Sequence, residues 1–171
     1  TVLNVFDEND RVLIINGGSF GQRFADICDT LGVPYAELKL DHGEALTVEK
    51  LEAFTDEQLS GLLVNIHETS TGVLYDIDII NKFCKEKNML LVVDAISSFL
   101  ADPIDMCRSK IDVLITGSQK ALACDPGVSV ILLNERAISR INSHKVRSIY
   151  FDLKDALKNL LNHLLQACLI I

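Results

Sequence analysis

With 171 residues, the chain is long enough to bury a hydrophobic core and short enough to form one domain. Hydrophobic residues make up 49% of it and charged residues 23%, a balance typical of a soluble globular protein. The net charge of −8 excludes electrostatic attraction to a phosphate backbone, so we expect no nucleic-acid partner.

The cysteines and the lengths of the apolar runs indicate a cellular location. The sequence has five cysteines and no Cys-x-x-Cys pair, which favours free thiols in a reducing compartment over a disulfide framework. It does not begin with a signal pattern, and no apolar run approaches the roughly 18 residues of a membrane helix. We therefore expect a cytoplasmic protein that does not bind membranes.

The first half of the chain predicts strands that alternate with helices. Strands are predicted at 11–16, 35–40 and 62–66, a helix at 19–31, and a short helix after Thr47. Ser19 and Gln22 have the spacing of a capping box, which predicts that the Ser19 side chain caps the first long helix. Gly32, followed by Pro34, predicts where that helix ends.

The second half continues the alternation. A helix is predicted at 76–87, and strands are predicted at 90–94, 112–116 and 127–133. The strands are continuous apolar runs, which are typical of strands buried on both faces of a parallel sheet. We therefore predict an α/β fold with three layers (α/β/α) and a mostly parallel sheet.

The C-terminal segment predicts one long amphipathic helix. From residue 152 onward, apolar residues recur at helical spacing, at 153, 156, 157, 160, 161, 164, 165, 168 and 169. We therefore divide the chain into a main domain, 1–149, and a C-terminal helix, 150–171. An exposed apolar face of that length predicts a docking surface.

Two predicted strands end at polar groups that suggest a chemistry. The strand at 90–94 ends at Asp94, and the strand at 112–116 is followed by Lys120. Ligands of parallel sheets bind beyond the carboxyl ends of the strands, where both side chains would emerge. An acid and an amine in one crevice are the groups that an enzyme using pyridoxal 5′-phosphate (PLP) needs: a lysine for the Schiff base and a carboxylate for the pyridinium nitrogen.

Four sequence strings resemble one enzyme family. NGGSFGQRF (16–24), HETSTGV (67–73), VVDAISS (92–98) and TGSQKAL (116–122) are similar to class V, fold-type I PLP-dependent aminotransferases, in order and with the family's spacing. The nearest relatives form the alanine–glyoxylate, serine–pyruvate and 2-aminoethylphosphonate group. The resemblance extends from about residue 1 to about residue 158. It implies a homodimer that moves an amino group from a small amino acid to a 2-oxo acid such as glyoxylate or pyruvate.

The resemblance assigns a role to each matching residue. It makes Lys120 the catalytic lysine, which holds PLP as a Schiff base and later moves the substrate's α-proton. It places Asp94 against the ring nitrogen, with Phe20 and Ile96 on the two ring faces.

Two further residues of these strings match cofactor contacts. Thr69 corresponds to a hydroxyl residue near the phenolic oxygen of PLP, and Gln119 corresponds to a phosphate contact. Glu68 lies in the same loop and could orient it, and we assign it no role in the chemistry.

Other interpretations of these residues remain open. Lys120 could begin a helix in solvent, Asp94 could cap the turn after its strand, and Phe20 also fits the apolar side of its helix. His42 and His67 belong to no metal-binding spacing, so no metal is predicted.

Two other functions also remain open. The family's phosphate-binding loop precedes the matched region and its substrate-binding arginine follows it, so the chain resembles the central part of the large domain, truncated at both ends. It could then be a catalytically silent fragment or one subunit of a split assembly. Cys124, close to Lys120 in the sequence, raises a third possibility, a lyase similar to cysteine desulfurases.

Overall fold

The computed structural model describes the backbone of residues 1–163 and 169–170 and the side chains of residues 1–159. Its helices are α1 Val2–Val5, α2 Ser19–Leu31, α3 Val48–Glu52, α4 Ile77–Glu86, α5 Glu135–Ser143 and α6 Leu153–His163. Its strands are β1 Val12–Asn16, β2 Tyr35–Lys39, β3 Gly61–Asn65, β4 His67–Glu68, β5 Val73–Leu74, β6 Leu90–Asp94, β7 Val113–Gly117, β8 Ser129–Leu133 and β9 Leu169–Ile170.

A seven-stranded sheet in the order β2-β1-β3-β6-β7-β8-β9 organises the chain. The first five strands in that order are parallel, whereas β8 runs antiparallel to β7, and β9 runs antiparallel to β8. A separate two-stranded hairpin joins β4 and β5. The predicted α/β fold with a mostly parallel sheet is confirmed.

Helices cover both faces of the sheet, because its central strands carry apolar side chains on both sides. Alternate residues of β1 belong to different cores: Leu13 and Ile15 pack with α3 and α4, whereas Val12 and Ile14 pack with α1, α2 and α5. All five residues of β1 and of β3 are buried. The three predicted layers are therefore present, and within the described residues no helix is long and apolar enough to cross a membrane.

The start of α2 differs from the prediction, although its end does not. Gly18 occupies the N-cap position and the Ser19 side chain makes no capping bond, so the predicted capping box is wrong. The side chain of Gln22 instead accepts a hydrogen bond from Asn16 Nδ2 at 3.0 Å. Gly32 ends the helix in the left-handed conformation (φ 69°), as the sequence predicts.

The C-terminal helix is shorter than predicted. α6 ends at His163, and Leu169–Ile170 pairs with β8, so the helix predicted through 171 is wrong at 169–170. The outer side of β8 offers unpaired backbone groups that a strand satisfies and a helix does not. Residues 164–168 and 171 lie outside the described residues.

The start of α6 packs on the main domain. Leu153 is buried in the core with α1 and α5. Asn4 holds the start of α6 against the main domain, since its Nδ2 donates to the carbonyl of Phe151 and its Oδ1 accepts from the amide of Leu153, both at 2.8 Å. The apolar face of the first turn is therefore internal, not the docking surface predicted from the sequence.

Candidate active site

The carboxyl ends of the parallel strands lie together and carry all of the predicted site residues. Phe20 follows β1, Thr69 follows β3, Asp94 ends β6, and Lys120 follows β7. Between β1 and β3 the chain changes direction, because β2 lies on one side of β1 and the later strands lie on the other. Such a switch point is where open α/β sheets bind ligands.

Asp94 is the last residue of β6 and lies opposite Asn65 of β3 and Ile115 of β7. Its Oδ1 accepts a hydrogen bond from the amide of Ile96 at 2.9 Å, so the residue does cap the turn after its strand. Within the described residues, Oδ2 accepts no hydrogen bond of good geometry, although the side chain of Asn65 interacts with this carboxyl group. One oxygen is structural, and the other is available to a ligand.

The environment of Asp94 disfavours its charged form. Desolvation by burial is the largest effect and raises the pKa of this carboxyl group above its usual value. The Ile96 amide, the side chain of Asn65 and the positive charge of Arg23 act in the opposite direction and lower that pKa. A cationic ligand beside the free oxygen would therefore stabilise the carboxylate.

Thr69 lies next to the loop that follows Asp94. Its Oγ1 is 2.7 Å from the Oγ of Ser97, and the two hydroxyls share a hydrogen bond. Ile96, the residue before Ser97, is half-buried. The structure therefore brings together the loops that carry Thr69, Asp94 and Ile96.

Phe20 is half-exposed and belongs to neither hydrophobic core. The core side of α2 consists instead of Phe24, Ala25 and Cys28. The guanidinium carbon of Arg23 lies 5.7 Å from the centre of the Phe20 ring, a cation–π contact. The interpretation of Phe20 as a core residue is therefore wrong, and the core leaves its ring partly exposed.

Glu68, predicted from the sequence only to orient its loop, is a further functional candidate. It is buried, and its carboxylate accepts a hydrogen bond from the amide of Gly21 at 2.9 Å. This contact joins the loop after β3 to the first turn of α2. No local sequence pattern predicts this contact, because the two residues are 47 positions apart.

Lys120 and Gln119 lie in the exposed turn after β7. The pairing of β6 with β7 sets Asp94 opposite Ile115, five residues before Lys120. Among the described residues, the Lys120 side chain makes no hydrogen bond or ion pair. Gln119 folds back over Gly117, where a Cβ atom would lie 2.5 Å from Gln119 Oε1. The structure shows Lys120 at the same end of the sheet as Asp94, with no hydrogen bond or ion pair between these two described residues.

The other reactive side chains near this end have local partners. His67 Nδ1 lies 3.3 Å from Asp102 Oδ2, a distance that fits an ion pair although the geometry is not that of a hydrogen bond. The thiol of Cys124 donates to the carbonyl of Leu122 at 3.3 Å. No group of three or more metal-binding side chains occurs within the described part of the chain.

The residues present fit the ring of PLP. Asp94 supplies a free acceptor oxygen in a half-buried setting, Phe20 supplies an aromatic face, and Thr69 supplies an exposed hydroxyl. These are the acceptor, the stacking surface and the donor that a protonated pyridine ring with a phenolic oxygen requires.

Comparison with known proteins identifies the family. The profile described as Aminotransferase class-V matches residues 1–158. The chain is 35% identical to the alanine–glyoxylate aminotransferase of Felis catus over 156 residues, which are 90% of this chain and 38% of that protein.

Solved structures of similar proteins support the same family. The crystal structure of an alanine–glyoxylate aminotransferase from Nostoc sp. superposes with a TM-score of 0.88 at 27% identity, over 98% of this chain and 45% of that chain. An aspartate aminotransferase of subgroup IV from Thermus thermophilus gives a TM-score of 0.83 at 34% identity, over 92% and 44%. The chain thus spans less than half the length of these relatives, and it belongs to the class V aminotransferases, a family of PLP-dependent enzymes.

Proposed function

We propose that this chain forms the central part of the cofactor domain of a PLP-dependent aminotransferase. The observation that carries the proposal is the Asp94 carboxylate, which is desolvated at the carboxyl end of β6 and keeps one oxygen free.

Asp94 would hold the cofactor's ring in its protonated form. Two opposite charges about 4 Å apart attract by about 4 kcal/mol at an effective dielectric constant near 20, before desolvation costs are subtracted. That attraction offsets the burial that now raises the pKa of Asp94. When bound, PLP supplies an acceptor for the electron pair that the substrate's α-carbon releases.

Phe20, Ile96 and Thr69 would orient the ring. The half-exposed phenyl group of Phe20 offers one stacking face, and the half-buried side chain of Ile96 would cover the other. The Thr69 hydroxyl is fixed by Ser97 and can donate to the phenolic oxygen. Gln119, beside the lysine, would contact the phosphate.

Lys120 would attach the cofactor and then carry a proton to and from the substrate's α-carbon. Its exposed turn is held by Ser118, whose Oγ donates to the carbonyl of Asp125 at 2.6 Å. The turn is anchored at its base while the Lys120 side chain remains unpaired among the described residues. We propose that this exposed amine attaches to a ring held at Asp94.

The substrates and the oligomeric state are part of the proposal. Relatives named alanine–glyoxylate aminotransferase support a small amino acid such as alanine as the donor and a 2-oxo acid such as glyoxylate or pyruvate as the acceptor. We propose a homodimer, in which a second subunit covers the exposed turn that carries Lys120. Analytical ultracentrifugation with and without PLP tests this state.

A specific observation favours a second candidate. The turn at 119–129 is almost wholly exposed, and among the described residues it makes no hydrogen bond or ion pair with Asp94. Residues 1–171 alone would then hold no cofactor and would serve as one part of a larger or split assembly. A monomer that never acquires the absorbance of bound PLP would support this candidate.

We also propose a reducing, cytoplasmic setting. Cys28 and Cys84 are buried, and burial raises the pKa of both thiols, that of Cys28 to about 12. Cys107 and Cys124 are exposed and free. Titration of thiols in protein purified without reductant tests this proposal.

Covalent labelling tests the main proposal. The chain is incubated with PLP, reduced with borohydride and digested, and the modified lysines are identified by mass spectrometry. We expect stoichiometric labelling of Lys120 and traces elsewhere, because Lys120 follows β7, the neighbour of the strand that ends at Asp94. Lys120→Arg should remove the main label, whereas Lys110→Arg, at another exposed position, should not. Equal labelling of all exposed lysines would overturn the proposal.

A further inference from the structure

Three amides in the first turn of α2 are capped from a distant loop. The amide of Ser19 donates to Ser70 Oγ at 3.0 Å, that of Phe20 to Glu68 Oε1 at 3.4 Å, and that of Gly21 to Glu68 Oε2 at 2.9 Å. The amide of the N-cap residue Gly18 donates to Asn16 Oδ1 at 3.4 Å, and the amide of Gln22 makes the first bond within the helix. All four N–H groups that a helix start leaves open are therefore satisfied.

The cap uses a buried charge where a neutral side chain would suffice. Glu68 is 1% exposed and forms no ion pair within the described residues. Its carboxylate also accepts from the amide of Ser70 at 3.2 Å and from Ser70 Oγ at 2.6 Å. These donors and the helix dipole offset the desolvation of the carboxylate. An ordinary N-cap serine or asparagine at position 18 would satisfy the helix without burying a charge.

Gly18 shows how closely the two segments approach. A Cβ atom on Gly18 would lie 2.3 Å from Ser70 Oγ and 2.7 Å from Glu68 Cδ, distances that real atoms do not adopt. The backbone of Gly18 is extended (φ 173°), so close approach and not chain conformation requires glycine here. The carboxylate thus fixes the distance between the loop after β3 and the start of α2.

Two of the residues proposed to hold the cofactor meet at this carboxylate. Phe20 donates its own amide to Glu68, and Thr69 directly follows Glu68 in the chain. Thr69 is in turn bonded to Ser97, beside Ile96. We propose that Glu68 is a positioning residue, which holds the Phe20 ring and the Thr69 hydroxyl in a fixed relation around the cofactor ring. This inference rests on the proposed function and assigns Glu68 no contact with the cofactor.

Glutamine is the most informative replacement for Glu68. It has nearly the same size, but one of its terminal groups is a donor, and every neighbour of the Glu68 carboxylate named here is also a donor. At least one amide must lose its acceptor: that of Gly21 if the nitrogen replaces Oε2, or those of Phe20 and Ser70 if it replaces Oε1. Ser70→Ala is a milder variant, because it removes one oxygen and leaves the carboxylate in place.

The chain contains no tryptophan, which permits a direct reporter. In a Phe20→Trp background, the single indole reports its own surroundings without cofactor and is quenched by PLP that stacks on it. Into this background we would introduce Glu68→Gln, Ser70→Ala, and Glu135→Gln as the matched control. Glu135 lies in the first turn of α5 and is exposed. Ile141→Val, a buried substitution in α5, controls for general loss of stability.

Two measurements follow, one of which needs no cofactor. Without PLP, we expect Glu68→Gln to speed hydrogen exchange of the amides at 19–21 at least tenfold and to shift the indole emission to the red. With PLP, we expect the concentration for half-maximal quenching to rise at least tenfold. Ser70→Ala should produce smaller changes of the same kind, and Glu135→Gln and Ile141→Val should produce neither.

The outcomes separate this inference from the proposed function. Suppose that the Phe20→Trp parent binds PLP, and that Glu68→Gln matches Glu135→Gln in hydrogen exchange, indole emission and quenching. The positioning role of Glu68 is then overturned, and the proposed function stands. If the parent variant binds no PLP, the proposed function fails, and unchanged exchange at 19–21 would still overturn the role of Glu68. If Glu68→Gln does not fold, Ser70→Ala decides by the same comparison.

Discussion

Asp94 is the last residue of β6, and Asp112 directly precedes the neighbouring strand β7. Because the two strands are parallel, the two aspartates lie at opposite ends of the sheet. Asp112 is buried just before β7, where Oδ2 accepts from the amide of Leu91 at 2.8 Å and Oδ1 from Asn134 Nδ2 at 2.8 Å. Arg136 Nη1 lies 3.4 Å from the same carboxylate. Asp94, at the other end, has one amide partner and a free oxygen.

The difference separates a structural aspartate from a binding one. Asp112 joins β6, β7 and the start of α5, and its acceptor capacity is used within the fold. Asp94 is desolvated without a complete set of partners, which raises its pKa. A fold can tolerate that cost where a ligand later supplies the missing partner. Substitutions at the two positions should therefore act on different properties.

The substitution Asp112→Ala should have the largest effect, which is a loss of stability. It leaves the Leu91 amide, Asn134 and Arg136 without their shared acceptor, and we expect a loss of about 2–3 kcal/mol in the free energy of unfolding. Denaturant unfolding monitored by circular dichroism measures this loss. Asp56→Ala, at an exposed aspartate, is the control and should change little. A loss below about 1 kcal/mol for Asp112→Ala would contradict the structural role.

Asp94→Asn should act in opposite directions on binding and on stability. We expect labelling of Lys120 by PLP to fall at least tenfold, because the amide cannot pair with a ring cation. Without cofactor, we expect the variant to be more stable than the wild type at neutral pH, because it removes a carboxylate whose charged form burial disfavours.

The pH dependence of the free energy of unfolding tests whether the fold disfavours the charged form of Asp94. The folded chain binds the Asp94 proton more tightly than the unfolded chain, so the stability of the wild type decreases as the pH rises through the folded-state pKa. The stability advantage of Asp94→Asn should therefore be small near about pH 4 and should grow toward neutral pH. An advantage that shrinks as the pH rises would show that Asp94 is paired, as Asp112 is.

The smallest effect is expected from Thr69→Val. It removes the hydrogen bond with Ser97, which lies between exposed hydroxyls and should contribute about 0.5–1 kcal/mol. We expect a two- to threefold loss in PLP labelling with little change in unfolding. Thr30→Val, which removes an exposed hydroxyl bond to the carbonyl of Asp26, is the control. Equal labelling in the two variants would remove Thr69 from the proposed site.

Much of the fold was predictable because the strands are continuous apolar runs. The strands at 62–66, 90–94 and 112–116 were placed within one residue of β3, β6 and β7. Residue type and spacing determine such buried strands locally. The C-terminal pattern failed for the opposite reason: Leu169–Ile170 has helical spacing, and its pairing with β8 is a contact with a distant part of the chain.

The candidate site was predictable only in part. The sequence placed Phe20, Thr69, Asp94, Ile96, Gln119 and Lys120 after the strands where the structure has them. The capping of α2 differs from the prediction, because Glu68, in the loop after β3, accepts from the amides of Phe20 and Gly21 in place of a cap by the Ser19 side chain. No spacing rule connects residues 47 positions apart.

The sequence by itself determined the α/β fold, the family and the ends of the strands at which a ligand would bind. These features follow from apolar periodicity and short motifs, which act through neighbours in the chain. The tertiary structure alone decided that Phe20 is free of the core, that Asp94 keeps an unpaired oxygen, and that Glu68 holds the start of α2. Burial and hydrogen bonding depend on which distant segments meet, and only the folded chain brings those segments together.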